Sequence, residues 1–598
     1  MRTLNRFLVL SAAMVLVAAA FFRSASTGAA TPPRSSRAAQ PSADWNALVD
    51  DFQDNVLFKF SPSAGTSAGL HQYDALLEDY SRTAVDQQVS ALRQFEKRVA
   101  AFDAKQLSET EAGDREMLLG NIRSGLLELE TIRAWEKNPD TYSSGAANSV
   151  YVIMNRRFAP SDDRLRSVIA REKLIPAVFE SAHQNLKNPP RIYTEIAVQQ
   201  LPGIVGFFQK DVPAAFADAK DEHVKADFAQ SNAAVVAALQ DYEKWLKSDL
   251  LPRSNGDFRF GAETFSKKLA YDELVDTPLD RLLEIGTADL HKNQAEFSRV
   301  AKEVDPSKTA TEVLARLETL HPAPDHLLQT FRDTFDSLIA FIRNKHIVTI
   351  PSDVRPILQE TPPFERAITT ASMDTPGPFE RVATEAYFNV TLPGPNDTPE
   401  QIESRMQDFN IGTIISTAIH ETYPGHYIQF LWLPQAPTKL RKLMGASTNA
   451  EGWAHYCEKM MLDEGYAQPG TGAKDLTESR LIRLGQLQDA LLRDARFVAG
   501  IQMHRGKMTY DQAIDFFVKD GYQTHEIAVV ETKRGTSDAT YLYYTLGKLE
   551  ILKLREDLHK KQGAAFSLET FHNDFLKQGF PPIKIVRKAL LKDDSPAL

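Results

Sequence analysis

Cysteine is all but missing from this chain. One residue, Cys457, stands among 598, so no intrachain disulfide can form and no cysteine-rich zinc knuckle can exist. Any zinc must then be held by His, Asp or Glu. A basic surplus is missing too: 69 Lys and Arg stand against 79 Asp and Glu, a formal net charge of −10. Aromatic residues are not interleaved with basic runs, and no nucleic-acid partner is expected. No G-x-S-x-G segment occurs, and nothing around Cys457 suggests an activated thiol, so a nucleophile-based hydrolase finds little support. No fixed-period repeat is found. Beyond residue 22 no apolar stretch is long enough to cross a bilayer.

What is present begins with a targeting pattern. Arg2 and Arg6 flank the start of an apolar run, Phe7 to Phe22, and small residues follow. Residues 1–22 read as a secretory signal or, since the run falls just short of a span, as an uncleaved anchor. No lipobox cysteine accompanies it. Residues 23–42 are rich in Ser, Ala and Pro and read as a disordered leader. The chain is expected to be exported, periplasmic or secreted, with no membrane contact beyond this segment.

Apolar residues make up 43% and charged residues 25%, which places the rest among globular proteins with ample length for a large core. From Trp45 onward the apolar spacing is helical: Val85–Phe102, Ala234–Leu251, Thr277–Val300 with Thr277 as N-cap, and Asp325–Ile342. Prolines 351, 356, 362, 363, 376 and 378 then mark an irregular connector. Within it Ala383–Leu392 carries the β-branched and aromatic residues of a short strand or hairpin. Such a strand is either structural or an edge that pairs with an extended peptide. Helical pattern resumes over Gln401–Thr422, Asn449–Gly465, Asp475–His504, Thr509–Lys519 and Thr536–His559. The expected fold is mainly α with one small β element. A helical lobe over 43–345 precedes a second over 346–598.

The Gln401–Thr422 pattern runs into His420-Glu421-Thr422-Tyr423-Pro424-Gly425-His426. Two imidazoles and a carboxylate within seven residues are the raw material of a zinc hydrolase. Zinc peptidases usually space their histidines one helical turn apart, as H-E-x-x-H. Here six residues separate them, about 240° past a full turn, so on an unbroken helix they face apart. Pro424 and Gly425 permit a break that would bring His426 back. Otherwise the heptapeptide is a helix end with two incidental histidines.

Downstream, Glu451, His455 and Glu458 recur at i, i+4 and i+7 on one helical face. His420, His426 and Glu451 are therefore the expected ligands of one Zn²⁺, with a fourth position open to water. Glu421 is the expected general base. His455 and Glu458 are candidates for orienting the ligands.

At these residues the sequence resembles a bacterial family, domain of unknown function 885, whose paired signatures look like HETYPGH and EGWAHYCE. The resemblance extends over about 45–595, including Ala371–Glu380, Tyr387–Gly394, and Glu531 through Arg534 to Leu549. That family is placed by similarity with zincin-like metallopeptidases. The resemblance implies a two-lobed helical body with a deep cleft lined by the metal helix. It implies a downstream His or Tyr that stabilises the oxyanion, for which His504, Tyr541 and Tyr544 are candidates. Arg534 is a candidate for a substrate carboxylate, and Tyr387 and Asn389 for further substrate contacts. The tyrosines read equally as packed core, and Arg534 as a salt-bridge partner of Glu531 or Asp538. The expected activity is zinc-dependent hydrolysis of oligopeptides. Hydrolysis of another amide or ester, and a non-catalytic binding role on the same scaffold, are the alternatives.

Overall fold

The computed structural model describes residues 43–361, 370–394 and 397–598; the expected signal and leader lie outside the described residues. Helix accounts for 71% and strand for 3%, the mainly-α architecture with a small β element that the periodicities imply. In the N-terminal part, α1 (Arg82–Ala101) and α2 (Glu109–Leu127) pack together. Ser81 caps α1, and Ser108 with Glu111 forms a reciprocal capping box on α2. Trp45, Phe52, Phe95 and Ile122 make their core, which Leu440, Met444 and Ile585 close from the far end of the chain. A separate core over 142–250 gathers Phe179, Phe207 and Tyr242 around α3 (Glu222–Trp245).

Helix α4 spans Leu279–Val304. Thr277 is not its cap: Pro278 takes that place, its extended φ −56° and ψ 142° setting the entry without a side-chain bond. Helix α5 spans Leu327–Asn344. Packing crosses the expected lobe boundary. Phe331 and Phe335 of α5 share a core with Phe388, Ile419 and Trp453, and Leu290 and Phe297 of α4 pack with Leu484 and Leu491.

The small sheet corrects one expectation. Its strands are β1 (Ile357–Glu360), β2 (Ala371–Asp374) and β3 (Tyr387–Val390), in the order β1-β3-β2. The strand read within Ala383–Leu392 is therefore the central one, parallel to β1 and antiparallel to β2. Both its edges are used, so it cannot itself take up a peptide. Phe388 fixes it there, meeting Phe331 edge-to-face at 5.3 Å.

Two helices expected as single pieces are split. The Gln401–Thr422 stretch divides into α6 (Pro399–Asp408) and α7 (Ile411–Glu421), because the Asn410 side chain accepts from Gly412 and Thr413 N–H and starts a new helix. Next come α8 (His426–Trp432), α9 (Ser447–Asp463) and α10 (Leu476–His504). The Thr536–His559 stretch belongs to α11 (His525–Ser537) and α12 (Tyr543–Gln562). Asp538 leaves helical geometry between them, and its carboxylate accepts from Arg534 and Tyr543.

Helices α7, α9, α10 and α12 meet at two glycine crossings. A Cβ on Gly485 would stand 2.6 Å from Gly412 Cα, and one on Gly547 would stand 1.9 Å from the Thr448 carbonyl oxygen. Gly452 lies in the second crossing, directly after Glu451.

Candidate metal centre

The break demanded between the histidines is present. Helix α7 ends at Glu421, Thr422 caps it, and α8 begins at His426. The Tyr423–Pro424 peptide is cis. The Gly425 N–H donates to the Ile419 carbonyl at 3.0 Å, folding the chain back over the end of α7. A Cβ on Gly425 would lie 1.8 Å from the His420 carbonyl oxygen, so only glycine fits. The Trp453 indole N–H holds the turn from α9 by donating to the Pro424 carbonyl at 3.0 Å. The two imidazoles end with ring centroids 4.8 Å apart.

Both meet Glu451. Its Oε2 lies 3.4 Å from His420 Nε2 and 3.5 Å from His426 Nε2. Among the described residues these three form the one His/Cys/Asp/Glu group whose ligand atoms all lie within 4.8 Å of one another. Ligands about 2.0–2.1 Å from a tetrahedral ion stand roughly 3.3–3.4 Å apart, so the observed spacings are those of one metal's coordination edges. The tautomer agrees. Glu458 Oε1 lies 2.7 Å from His420 Nδ1, which commits that nitrogen's hydrogen and leaves Nε2 as a lone pair facing the Glu451 carboxylate. Two such groups tolerate this spacing only with a cation between them. Without a metal that cation is a proton: burial would lower the His420 imidazole, but Glu451 and Glu458 override it and hold it at about 10.

Glu458 is the hub behind His420. It also faces His455 Nδ1 at 3.2 Å and the Arg493 guanidinium at 3.1 Å. His455 therefore reaches His420 only through Glu458. Burial, together with the charge of Lys548, pushes it down to about 3, so it is neutral and donates from Nδ1. Glu421, half-buried at the end of α7, has a carboxylate that accepts no hydrogen bond from the described residues.

A second cluster flanks Glu451, whose charge reaches both Tyr543 and Tyr544. Arg534 donates to Asp538 at 3.0 Å, to Tyr543 Oη at 3.1 Å and to Tyr544 Oη at 3.3 Å. The Tyr544 ring lies 4.9 Å from the Arg496 guanidinium, 5.6 Å from Arg493 and 5.7 Å from Arg534. Its hydroxyl hydrogen has no acceptor among the described residues. Tyr544 and Arg534 are thus brought to the site, but Arg534 is already paired with Asp538.

Four expected site residues are placed elsewhere. His504 is core: Nδ1 accepts from Phe260 N–H and Nε2 donates to the Gly535 carbonyl, with Phe258, Phe260 and Phe265 around it. Its burial holds it down to about 4. Tyr541 is fully buried, packed against Gly500 and Gly535. Asn389 is buried in the sheet, accepting from Gln359 and donating to Ser372. Tyr387 is half-buried at the end of the same strand, near Asp374 and Glu385. Asp538 is the salt-bridge partner expected for Arg534, whereas Arg493, Arg496 and Tyr543 were not expected at the site. They enter from α10 and from the α11–α12 junction, where only the tyrosine cluster gave a signal.

Fold and site together define a class: a mainly helical scaffold with a His–His–Glu constellation across a broken helix, an adjacent carboxylate and a tyrosine pair. The chain belongs to the bacterial protein family of unknown function DUF885, whose profile matches residues 62–590. No curated protein matches it in sequence. Among solved structures it is similar to one from Shewanella oneidensis described as a "putative lipoprotein of unknown function". That chain is 28% identical, with TM-score 0.75, over 92% of this chain and 98% of the other. A second, from Colwellia psychrerythraea and described as a "putative lipoprotein", shares the fold at 18% identity, with TM-score 0.76, over 92% and 99%.

Proposed function

We propose that this protein is an exported, metal-dependent peptidase, with zinc the first candidate metal. The observation that carries the reading is the convergence of His420, His426 and Glu451 at coordination-edge spacing, with the uncommitted Glu421 carboxylate next to the first ligand. A divalent cation held by these residues would polarise a scissile carbonyl and acidify a water molecule. Glu421 takes the proton of the attacking water and passes it to the leaving amine. Tyr544, its oxygen fixed by Arg534, donates its free hydrogen toward the carbonyl oxygen as negative charge develops there. Glu458 and Arg493 hold the His420 ring in the ligating tautomer. Export is supported by the basic and apolar N-terminal pattern and by the lipoprotein descriptions of the similar structures.

The test is metal analysis of the purified protein, with cleavage of a mixed peptide library by wild type and Glu421→Gln. One equivalent of zinc, peptide cleavage, and a drop of at least 100-fold in kcat for Glu421→Gln are expected. Absence of stoichiometric metal, or unchanged cleavage by Glu421→Gln, sinks the reading. A protein that ignores peptides but hydrolyses other amides or esters through Glu421 keeps the chemistry and loses the substrate.

A further inference from the structure

A cavity of about 370 Å³ lies where the N-terminal helices meet the ligand helix α9, a volume within the range of small-ligand sites. Ser447, the first residue of α9, is in its wall, and stands about 6 Å along the helix axis from Glu451. Tyr543 and Asp538, the partners of Arg534, are in its wall as well. The metal ligands do not line it; Tyr543 stands between, close enough to feel the Glu451 charge. The chamber therefore abuts the metal centre on the side of the tyrosine pair.

Its electrostatics favour one sign of charge. Glu128, Asp272, Glu273 and Asp538 line it against Lys137 and Lys268. The protein already tests the chamber with an ammonium of its own. Lys268 Nζ sits 2.8 Å from Asp272, and although burial opposes its charge, Asp272 and Glu128 hold it up to about 12. Glu273 accepts from the Ser447 and Thr448 N–H groups and the Thr448 hydroxyl, yet burial still raises it to about 7, and burial raises Glu128 too. Phe260 and Tyr271 add aromatic walls suited to a cation.

Resting on the peptidase reading, we infer that this chamber receives a cationic group of the substrate, either its α-ammonium or a basic side chain near the scissile bond. An anionic end is disfavoured, because the chamber is lined by four carboxyl groups against two lysines.

The test uses the full chain and one peptide series: free or acetylated N-terminus, Lys or norleucine within it, and free or amidated C-terminus. Binding is measured calorimetrically on Glu421→Gln, so it does not depend on turnover, and kcat and KM are measured on wild type. Removing the recognised cation is expected to weaken binding at least 10-fold, and the arm that shows the loss identifies α-ammonium or side chain. Asp272→Asn and Glu128→Gln should each erase most of that preference while leaving affinity for the neutral peptide. Lys268→Met should tighten the cationic peptide, because it frees the carboxylates. Equal binding of charged and neutral peptides overturns the inference, as does weaker binding in Lys268→Met or a preference for a free carboxylate. If no peptide is cleaved by wild type, the peptidase reading falls while the binding series still judges the chamber. If peptides are cleaved regardless of charge, the chamber falls and the peptidase reading stands.

Discussion

His420 holds a carboxylate on each ring nitrogen, Glu458 on Nδ1 at 2.7 Å and Glu451 on Nε2 at 3.4 Å. Both acids come from α9, seven residues apart, so in the proposed site one helix would supply a ligand and the group that orients another. Arg493 completes the arrangement. It is half-buried, forms an ion pair with the Glu458 oxygen that meets His420, and lies over the Tyr544 ring. Such supporting partners typically carry 10- to 100-fold in metal affinity. Glu458→Gln and Arg493→Met are each expected to lose about that much, read by competition with a fluorescent chelator. Arg493→Lys should recover part of the loss. Unchanged affinity in Arg493→Met would reduce the guanidinium to a space-filling role. That His420, His426 and Glu451 would converge was legible beforehand, because the heptapeptide and the i, i+7 carboxylates are local patterns. Arg493 was not, since one arginine in a long helix carries no sign of which face meets Glu458. His504 and Tyr541 misled for the opposite reason: residue types suited to catalysis are also residue types that fill a core once their polar atoms, or the space around them, are accounted for.

At the scale of elements, the site depends on how closely helices approach. Glu451 faces the tyrosine pair because α9 and α12 cross at Gly452 and Gly547, where no side chain holds them apart. Gly547→Ala places a Cβ 1.9 Å from the Thr448 carbonyl oxygen, and the helices must separate. A loss of about 1–3 kcal/mol is expected in denaturant unfolding, together with weaker metal binding. Gly425→Ala acts at the turn, against the His420 carbonyl, and is expected to cost metal affinity at least 10-fold. Gly203→Ala is the control: nothing lies within 4 Å of its Cβ, and in a helix it should be neutral or stabilising by up to about 1 kcal/mol. If all three behaved alike, close approach would not be what these glycines serve. None of this pairing is written locally. The need for a break at Pro424-Gly425 followed from helical geometry, but the partners at the crossings lie in different helices. The strand at Ala383–Leu392 shows the same limit. Its composition announced a strand, while its place at the centre of the sheet depends on β1 and β2, which composition does not pair with it.

Across the whole molecule, the connector between β2 and β3 is fastened to the N-terminal part. Gly377 and Gly69 lie where a Cβ would strike backbone across that junction, and the Phe379 N–H donates to the Ala68 carbonyl. Asn155 and Arg156, just past the end of the Asp140–Met154 helix, donate to Asp374. At the centre is His71, stacked on Phe158, with Nδ1 3.0 Å from Asp74 and Nε2 3.1 Å from Glu380. Glu380 also accepts from three successive backbone N–H groups, Arg381 to Ala383. Burial would lower the imidazole, but the two carboxylates override it and raise His71 to about 9; the same contacts, against burial, hold Glu380 at about 2. A group whose folded pKa is raised stabilises fully below its unfolded value, about 6.5 for His, and loses that contribution as pH rises through the folded value. Glu380 works in the other direction, its share being lost only as pH falls toward 2. The clamp is therefore complete from about pH 5 to 6.5 and weakens between 6.5 and 9. Melting temperature measured from pH 5 to 10 on wild type and His71→Gln should show the greatest difference at pH 5–6.5 and convergence above pH 9. A constant offset across that range would mean that His71 contributes by packing on Phe158 and not by its charge. Because Asp74 and His71 belong to the N-terminal part and Glu380 to the connector, proteolysis within residues 375–385 should quicken over the same pH interval, and faster in wild type relative to its own pH 6 rate than in His71→Gln.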